Sequence, residues 1–146
     1  AVYHGFPQGN IYGLKDRSGK KPIELPKKAE DILVRAQEGV NRLMQASVDG
    51  PYALILTLPL FNILNTYTQG YPVRPRIEGV LNGPVLVAPH SNHCFLVPMR
   101  SEDLRLVLGM DISIGYDSHD NDAVRLFFME SFTFRVQDPE AVVIYQ

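Results

Sequence analysis

His90-Ser91-Asn92-His93-Cys94 is where metal-ligating residue types crowd together in this chain. Two imidazoles and a thiolate suit zinc chemically. The spacing argues against a site: in a strand Cys94 points away from His93, and no second ligand pair stands at a recognised interval. An exposed turn running into a strand is the plainer expectation. Asp117, His119, Asp120 and Asp122 resemble half of a calcium loop but lack its glycine and its final bidentate glutamate, so a solvated turn is expected there. Glu130 stands alone among apolar residues. It is expected either as a buried acid with a displaced proton affinity or as the partner of Arg105, Arg125 or Arg135. The glycines of Gly5-Phe6-Pro7-Gln8-Gly9 and Gly9-Asn10-Ile11-Tyr12-Gly13 lack the strand-then-helix setting that a phosphate loop needs. No nucleophile stands beside a base at working spacing, so no catalytic activity is expected.

The elements that would position such residues are legible in the periodicities. From Val124 to Val136 the even positions are Val124, Leu126, Phe128, Glu130, Phe132, Phe134 and Val136, apolar except for one. The odd positions are mixed. This is period-two alternation over a stretch spanning roughly 40 Å at about 3.3 Å per residue, against a usual strand of about 5–6 residues. Ser118 to Asp122 supplies turn residues, and Leu104, Leu106 and Leu108 alternate into the preceding strand, so the whole reads as a long β-hairpin. Upstream, residues 1–24 are turn-rich, with room for one short strand. Pro26 opens a helix running from Lys27 to about Ser47, with Ile32, Leu33, Ala36, Val40, Leu43 and Met44 on one stripe. Asp31–Arg35 and Glu38–Arg42 are spaced as ion pairs on its outer side. Gly39 is either a small cost or a close-packing point. Tyr52 to Thr57 reads as a buried strand, Leu58 to Tyr67 and Arg74 to Leu81 as short helices, and Val85-Leu86-Val87 and Cys94 to Val97 as strands. This order argues an α+β fold.

Composition closes off several classes. A net charge of -2 gives no case for nucleic acid or an anionic membrane as partner. The single cysteine, Cys94, excludes an internal disulfide framework and fits a reducing compartment. No apolar run approaches the roughly 20 residues of a membrane span.

Three passages carry a resemblance. Leu108-Gly109-Met110-Asp111-Ile112-Ser113-Ile114-Gly115-Tyr116, followed by Val124-Arg125-Leu126-Phe127 and Glu130-Ser131-Phe132-Thr133-Phe134, closely resembles the C-terminal segment of encapsulin shell proteins, once called linocin bacteriocins. Asp49-Gly50-Pro51-Tyr52-Ala53-Leu54 is similar to that family's helix-to-strand passage. His4-Gly5 with Gly9-Asn10-Ile11-Tyr12-Gly13-Leu14 is similar to its lead into the axial domain. The resemblance covers essentially the whole chain. It implies the Hong Kong 97 phage capsid-like fold, with residues 1–24 a peripheral-domain segment, 25–108 the axial domain, and 109–146 the peripheral-domain hairpin and C-terminal strand. Thr68, Gln69, Gly70, Tyr71 and Pro72 would then form the pore loop at the fivefold opening. Leu126, Phe128, Phe132 and Phe134 would form a subunit interface or the core of the hairpin.

The implied function is structural. Such a subunit self-assembles into an icosahedral nanocompartment in the cytoplasm. It encloses a cargo protein, such as a ferritin-like protein serving iron storage or a dye-decolorising peroxidase, held through a targeting peptide. Family members are considerably longer on the N-terminal side, so the chain is expected to be a portion of such a subunit. The N-terminal helix, the spine helix, most of the extended loop, the region where some relatives bind flavin and part of the inner cargo surface would lie outside it. No cofactor, nucleic acid or membrane is expected as a partner. Residues 88–94 do not match the family pattern. Two alternatives stay open: a phage major capsid protein, and a small metal-binding or metalloenzyme domain using His90, His93 and Cys94.

Overall fold

Tyr52–Leu56 (β1) and Cys94–Pro98 (β3) are buried along their whole length, which for a strand requires cover on both faces of the sheet. A computed structural model of the chain, describing residues 1–25, 27–65 and 72–146, provides that cover. The strands Val85–Val87 (β2) and Val143–Tyr145 (β6) complete a four-stranded sheet in the order β2-β1-β3-β6. β1 pairs parallel with β2 and antiparallel with β3, and β3 pairs antiparallel with β6.

On one face lie the helices Ala29–Gln45 (α1), Leu58–Leu64 (α2) and Val73–Leu81 (α3). The stripe Ile32, Ala36, Val40 and Leu43 of α1 is buried against Leu54, Leu56, Leu96 and Tyr145, with Ile77 and Leu81 of α3 in the same core. Met44, expected in that stripe, is exposed at its margin. Gly39 proves to be a close-packing point: a Cβ there would lie 2.0 Å from the Tyr145 hydroxyl and 2.8 Å from a Leu96 methyl. The Tyr145 phenol bridges β6 to α1 by donating to the Arg35 carbonyl at 3.2 Å. Burial pushes its proton affinity well above the ordinary tyrosine range. Along the outer side of α1, Glu38 accepts from both Arg35 (2.9 Å) and Arg42 (2.8 Å). The expected Asp31–Arg35 pair is thus replaced, because Arg35 turns toward Glu38 instead. Pro26, expected to open α1, lies outside the described residues.

The second face is covered by residues 1–17, which hold no regular strand and instead fold through two 3-10 turns, Pro7–Gly9 and Leu14–Arg17. Leu14 joins Ile55, Phe95, Val97 and Ile144 in a second apolar cluster, and the Tyr3 ring stacks on Phe95 at 5.7 Å. The segment doubles back tightly on itself. The Leu14 amide donates to the Val2 carbonyl at 2.8 Å, and Gly13 sits so close to Gly5 that a Cβ would meet its amide nitrogen at 2.2 Å. Ile23 adds a bridge to Tyr145, so the stretch before α1 extends the sheet beside β6.

The rest of the chain is a two-stranded ribbon. Leu104–His119 (β4) and Val124–Val136 (β5) pair antiparallel from Leu104↔Val136 to His119↔Val124. β4 has 16 residues and β5 has 13. The difference is absorbed in three register shifts, between Leu108 and Met110, Met110 and Ser113, and Tyr116 and Ser118. Strict alternation therefore holds along β5, while β4 changes parity at each shift, as bulges require. The division expected at residue 108 falls inside β4, and the C-terminal strand β6 belongs to the four-stranded sheet rather than to the ribbon.

Candidate functional site

The structure takes the metal candidates apart. Cys94 begins β3 with its side chain in the main core, where its sulfur accepts the Thr57 amide at 3.3 Å. Burial raises the thiol's proton affinity, with the Thr57 hydrogen bonds opposing this. It is a packed, unreactive thiol. His93 lies on the opposite side, beneath His4, and His90 is exposed in the preceding turn. Among the described residues no three histidine, cysteine or acidic side chains are placed to hold a metal ion. The structure thus does not bring His90, His93 and Cys94 together as a ligand set: Cys94 is buried in the main core, and the two histidines lie in the turn and bend before β3.

The calcium-like stretch is a turn. Asp120 accepts the amides of Asp122 (3.0 Å) and Ala123 (2.9 Å), closing the ribbon tip in the manner of an Asx turn, and Tyr116 bonds His119 along β4 just before it. Glu130, expected buried or paired, is exposed on the ribbon, and Arg105 instead pairs with Glu102 at 2.9 Å. A half-open cleft of about 460 Å³ separates the N-terminal segment from the ribbon's root. It presents Arg17, stacked 4.4 Å over the Tyr12 ring, and Arg135, but no carboxylate, imidazole or thiol lines it.

What remains is surface, and the ribbon dominates it. Of the four aromatic and aliphatic residues singled out on β5, Phe134 is buried at the root, packed into the second cluster. Phe132 is partly open, Leu126 is 58% exposed and Phe128 is 74% exposed. Their cross-strand partners on the same face are Leu108, Tyr116 and Ile114, all exposed. The opposite face adds Val107, Phe127 and Met129. Phe127 lies flat over Gly115, where any side chain would strike its ring. Sequence alternation had marked β5 but not Ile112 and Ile114 of β4, because the register shifts hide which face each β4 residue joins. A soluble monomer's largest apolar patch is about 300–600 Å²; this ribbon, roughly 50 Å long by strand rise, exposes apolar side chains along one face and Val107, Phe127 and Met129 among the polar residues of the other. Among the described residues of this chain nothing covers its outer length.

The expected pore loop cannot be placed: Thr68, Gln69, Gly70 and Tyr71 lie outside the described residues, and Pro72 precedes the first turn of α3.

Comparisons with known proteins give the family and the fold. Residues 1–133 match the family model described as encapsulating protein for peroxidase. The Type 1 encapsulin shell protein of Rhodococcus erythropolis is 38% identical over 98% of this chain and 54% of its own length. That of Rhodospirillum rubrum is 39% identical over 98% of this chain and 52% of its own. That of Mycobacterium tuberculosis is 32% identical over 97% and 54%. The chain thus spans about half the length of these relatives. A virus-like particle from Pyrococcus furiosus superposes with a TM-score of 0.79 at 21% identity, covering 91% of this chain and 58% of that one. A Mycobacterium phage Che8 chain gives 0.69 at 13% identity, covering 91% and 54%. These two establish the capsid-like α+β fold. With the model matched over most of its length and relatives near 40% identity, the chain belongs to the encapsulin, or linocin-like, shell protein family.

Proposed function

We propose that these residues build the wall of a closed icosahedral protein compartment in the cytoplasm, with the four-stranded body as the axial domain and the ribbon as the peripheral domain, and that the chain catalyses nothing itself. The carrying observation is the ribbon. Its Leu126, Phe128 and Ile114 are exposed in the single chain, and burying such side chains is worth about 1.5–3 kcal/mol each. Copies arranged side by side, together with the remainder of the longer subunit, are what would bury them. Family membership supports the same reading, and supports a protein cargo held inside.

In this reading the 146 residues by themselves remain monomers or small oligomers, because the shell contacts supplied by the other half of a full-length relative are not among them. Light scattering of the isolated chain tests this, and closed particles from it alone would overturn that part. In the longer subunit, electron microscopy is expected to show closed particles, and a subunit that stays monomeric at high concentration would sink the proposal. Particle contents separate the neighbouring reading: enclosed protein supports a cargo compartment, whereas packaged DNA would make it a phage capsid. Residues Thr68 to Pro72 are proposed to line the fivefold opening. Gln69→Asp should then give the opening a preference for cations, and an unchanged ion preference in the assembled particle would remove that assignment.

A further inference from the structure

We propose that His4 and His93 form an acid-sensitive latch, which holds the N-terminal segment across the sheet at neutral pH and releases it on acidification. The geometry is specific. The two imidazoles are 6.4 Å apart, centroid to centroid, one at the start of the N-terminal segment and one at the entry to β3. The His93 Nδ1 atom is buried and has no hydrogen-bond partner. In the neutral ring that nitrogen takes the bare, acceptor role. In the cationic ring it carries a proton for which the described protein atoms offer no acceptor, and a buried donor left unmade disfavours the charged form.

The charged surroundings push the same way. The ionisable groups acting on His93 are Lys15 and His4, both on the segment that covers it, and each disfavours a second positive charge. Asp16, the nearby carboxylate of the segment, is committed to the Gly13 amide at 3.1 Å. On its own element His93 is flanked by the Ser91 hydroxyl, which accepts the His93 amide and donates to its carbonyl, and so takes no part with the ring. Cys94 faces the other core. Burial, then Lys15, then His4 hold the proton affinity of His93 below the ordinary histidine value.

The sign follows. A histidine depressed in the folded state is protonated more readily when the segment is released, so acidification favours release. The latch is complete above the ordinary histidine value of about 6.5 and weakens as pH falls through it toward the folded value. What the latch covers is the second apolar cluster, with Phe95 stacked under Tyr3. Release would bare that cluster while leaving α1 and its core in place.

Hydrogen exchange on the whole chain at pH 7.5 and 5.5, corrected for intrinsic rates, tests the idea. The reporters are the Phe6 amide, bonded to Ile11, and the Leu14 amide, bonded to Val2. Protection of both should fall at pH 5.5, by at most about tenfold for a single histidine with an ordinary unfolded value, while α1 amides hold. His93→Phe keeps a ring in place without a titrating group and should abolish the pH dependence. An equal loss in His93→Phe, or no loss in the parent, overturns the proposal. Direct NMR titration of His93 in the unaltered chain is independent of any variant's folding. A midpoint below the ordinary value that rises in Lys15→Met supports the latch, and a midpoint at or above it refutes it.

Discussion

The body and the ribbon both carry large apolar side chains, and these meet opposite fates. Phe95 and Leu96 of β3 are fully buried, while Phe128, in a strand of the same character, is 74% exposed. The difference lies in what the chain brings to each face. β3 has helices on one side and the N-terminal segment on the other. β4 and β5 have only each other beyond their root. Apolarity in this chain therefore has two outcomes: an interior closed by the chain itself, and a ribbon surface that the proposed shell would cover.

If that division is right, substitutions in the body should be costly to folding. The largest effect is expected at Leu96, whose side chain is inaccessible between α1 and the sheet. Leu96→Ala should lower unfolding free energy by about 3–5 kcal/mol, measured by urea denaturation. A loss under about 1 kcal/mol would mean that the body does not depend on this core. Next comes Gly39→Ala, which drives a methyl into the Tyr145 hydroxyl and should cost about 1–3 kcal/mol. Combining it with Tyr145→Phe should cost less than the sum of the two single changes, because the clashing atom is gone. Strict additivity would refute the contact.

The body was largely readable because its signals are local. The stripe of α1, the unbroken apolar run Tyr52–Leu56 and the turn chemistry at Asp120 each follow from residues close in sequence. What was hidden depends on distant partners. Arg35 has acids at both i−4 and i+3, and only its packing beside Arg42 and Glu38 decides for the latter. The register shifts of β4 show only in its pairing with β5. Glu130 looked buried because its strand face is apolar, yet that face has no cover in this chain. His4 gave no signal at all, since its contact with His93 joins residues far apart in sequence.

A smaller effect is expected at Glu38, on the outer side of α1. Burial alone would raise its proton affinity, but the hydrogen bonds and charges of Arg35 and Arg42 outweigh that and hold the carboxyl below the ordinary glutamate value. An acid depressed in the folded state stabilises it above the unfolded value of about 4.3 and loses that contribution as pH falls. Arg35 and Glu38 are more than a third open to solvent and Arg42 a little less, so screening limits the trio's worth to a few tenths of a kcal/mol up to about 1. Glu38→Gln should show this modest loss at pH 7, shrinking toward zero below about pH 4. A loss that stays constant from pH 7 to pH 3 would assign it to packing rather than charge.

The smallest effect on folding is expected where the side chain is largest and most open. Phe128 pairs with Ile114 across the ribbon and touches nothing in the body's two cores. Phe128→Ser removes one cross-strand contact, worth about 0.2–1 kcal/mol, and should leave the unfolding midpoint of the body nearly unchanged. Its effect on association should be the reverse. A buried aromatic at the centre of a protein contact commonly carries 2 kcal/mol or more, roughly a thirtyfold change in affinity per contact. A closed shell repeats every contact many times. Assembly of the longer subunit, followed by light scattering against concentration, should therefore shift strongly while the denaturation curve does not. If Phe128→Ser and Leu96→Ala destabilise the single chain alike, the ribbon is part of the body's own folding unit and the distinction between interior and ribbon surface fails. If Phe128→Ser changes neither folding nor assembly, the ribbon's apolar face has no partner and the proposed shell contact lies elsewhere on the molecule.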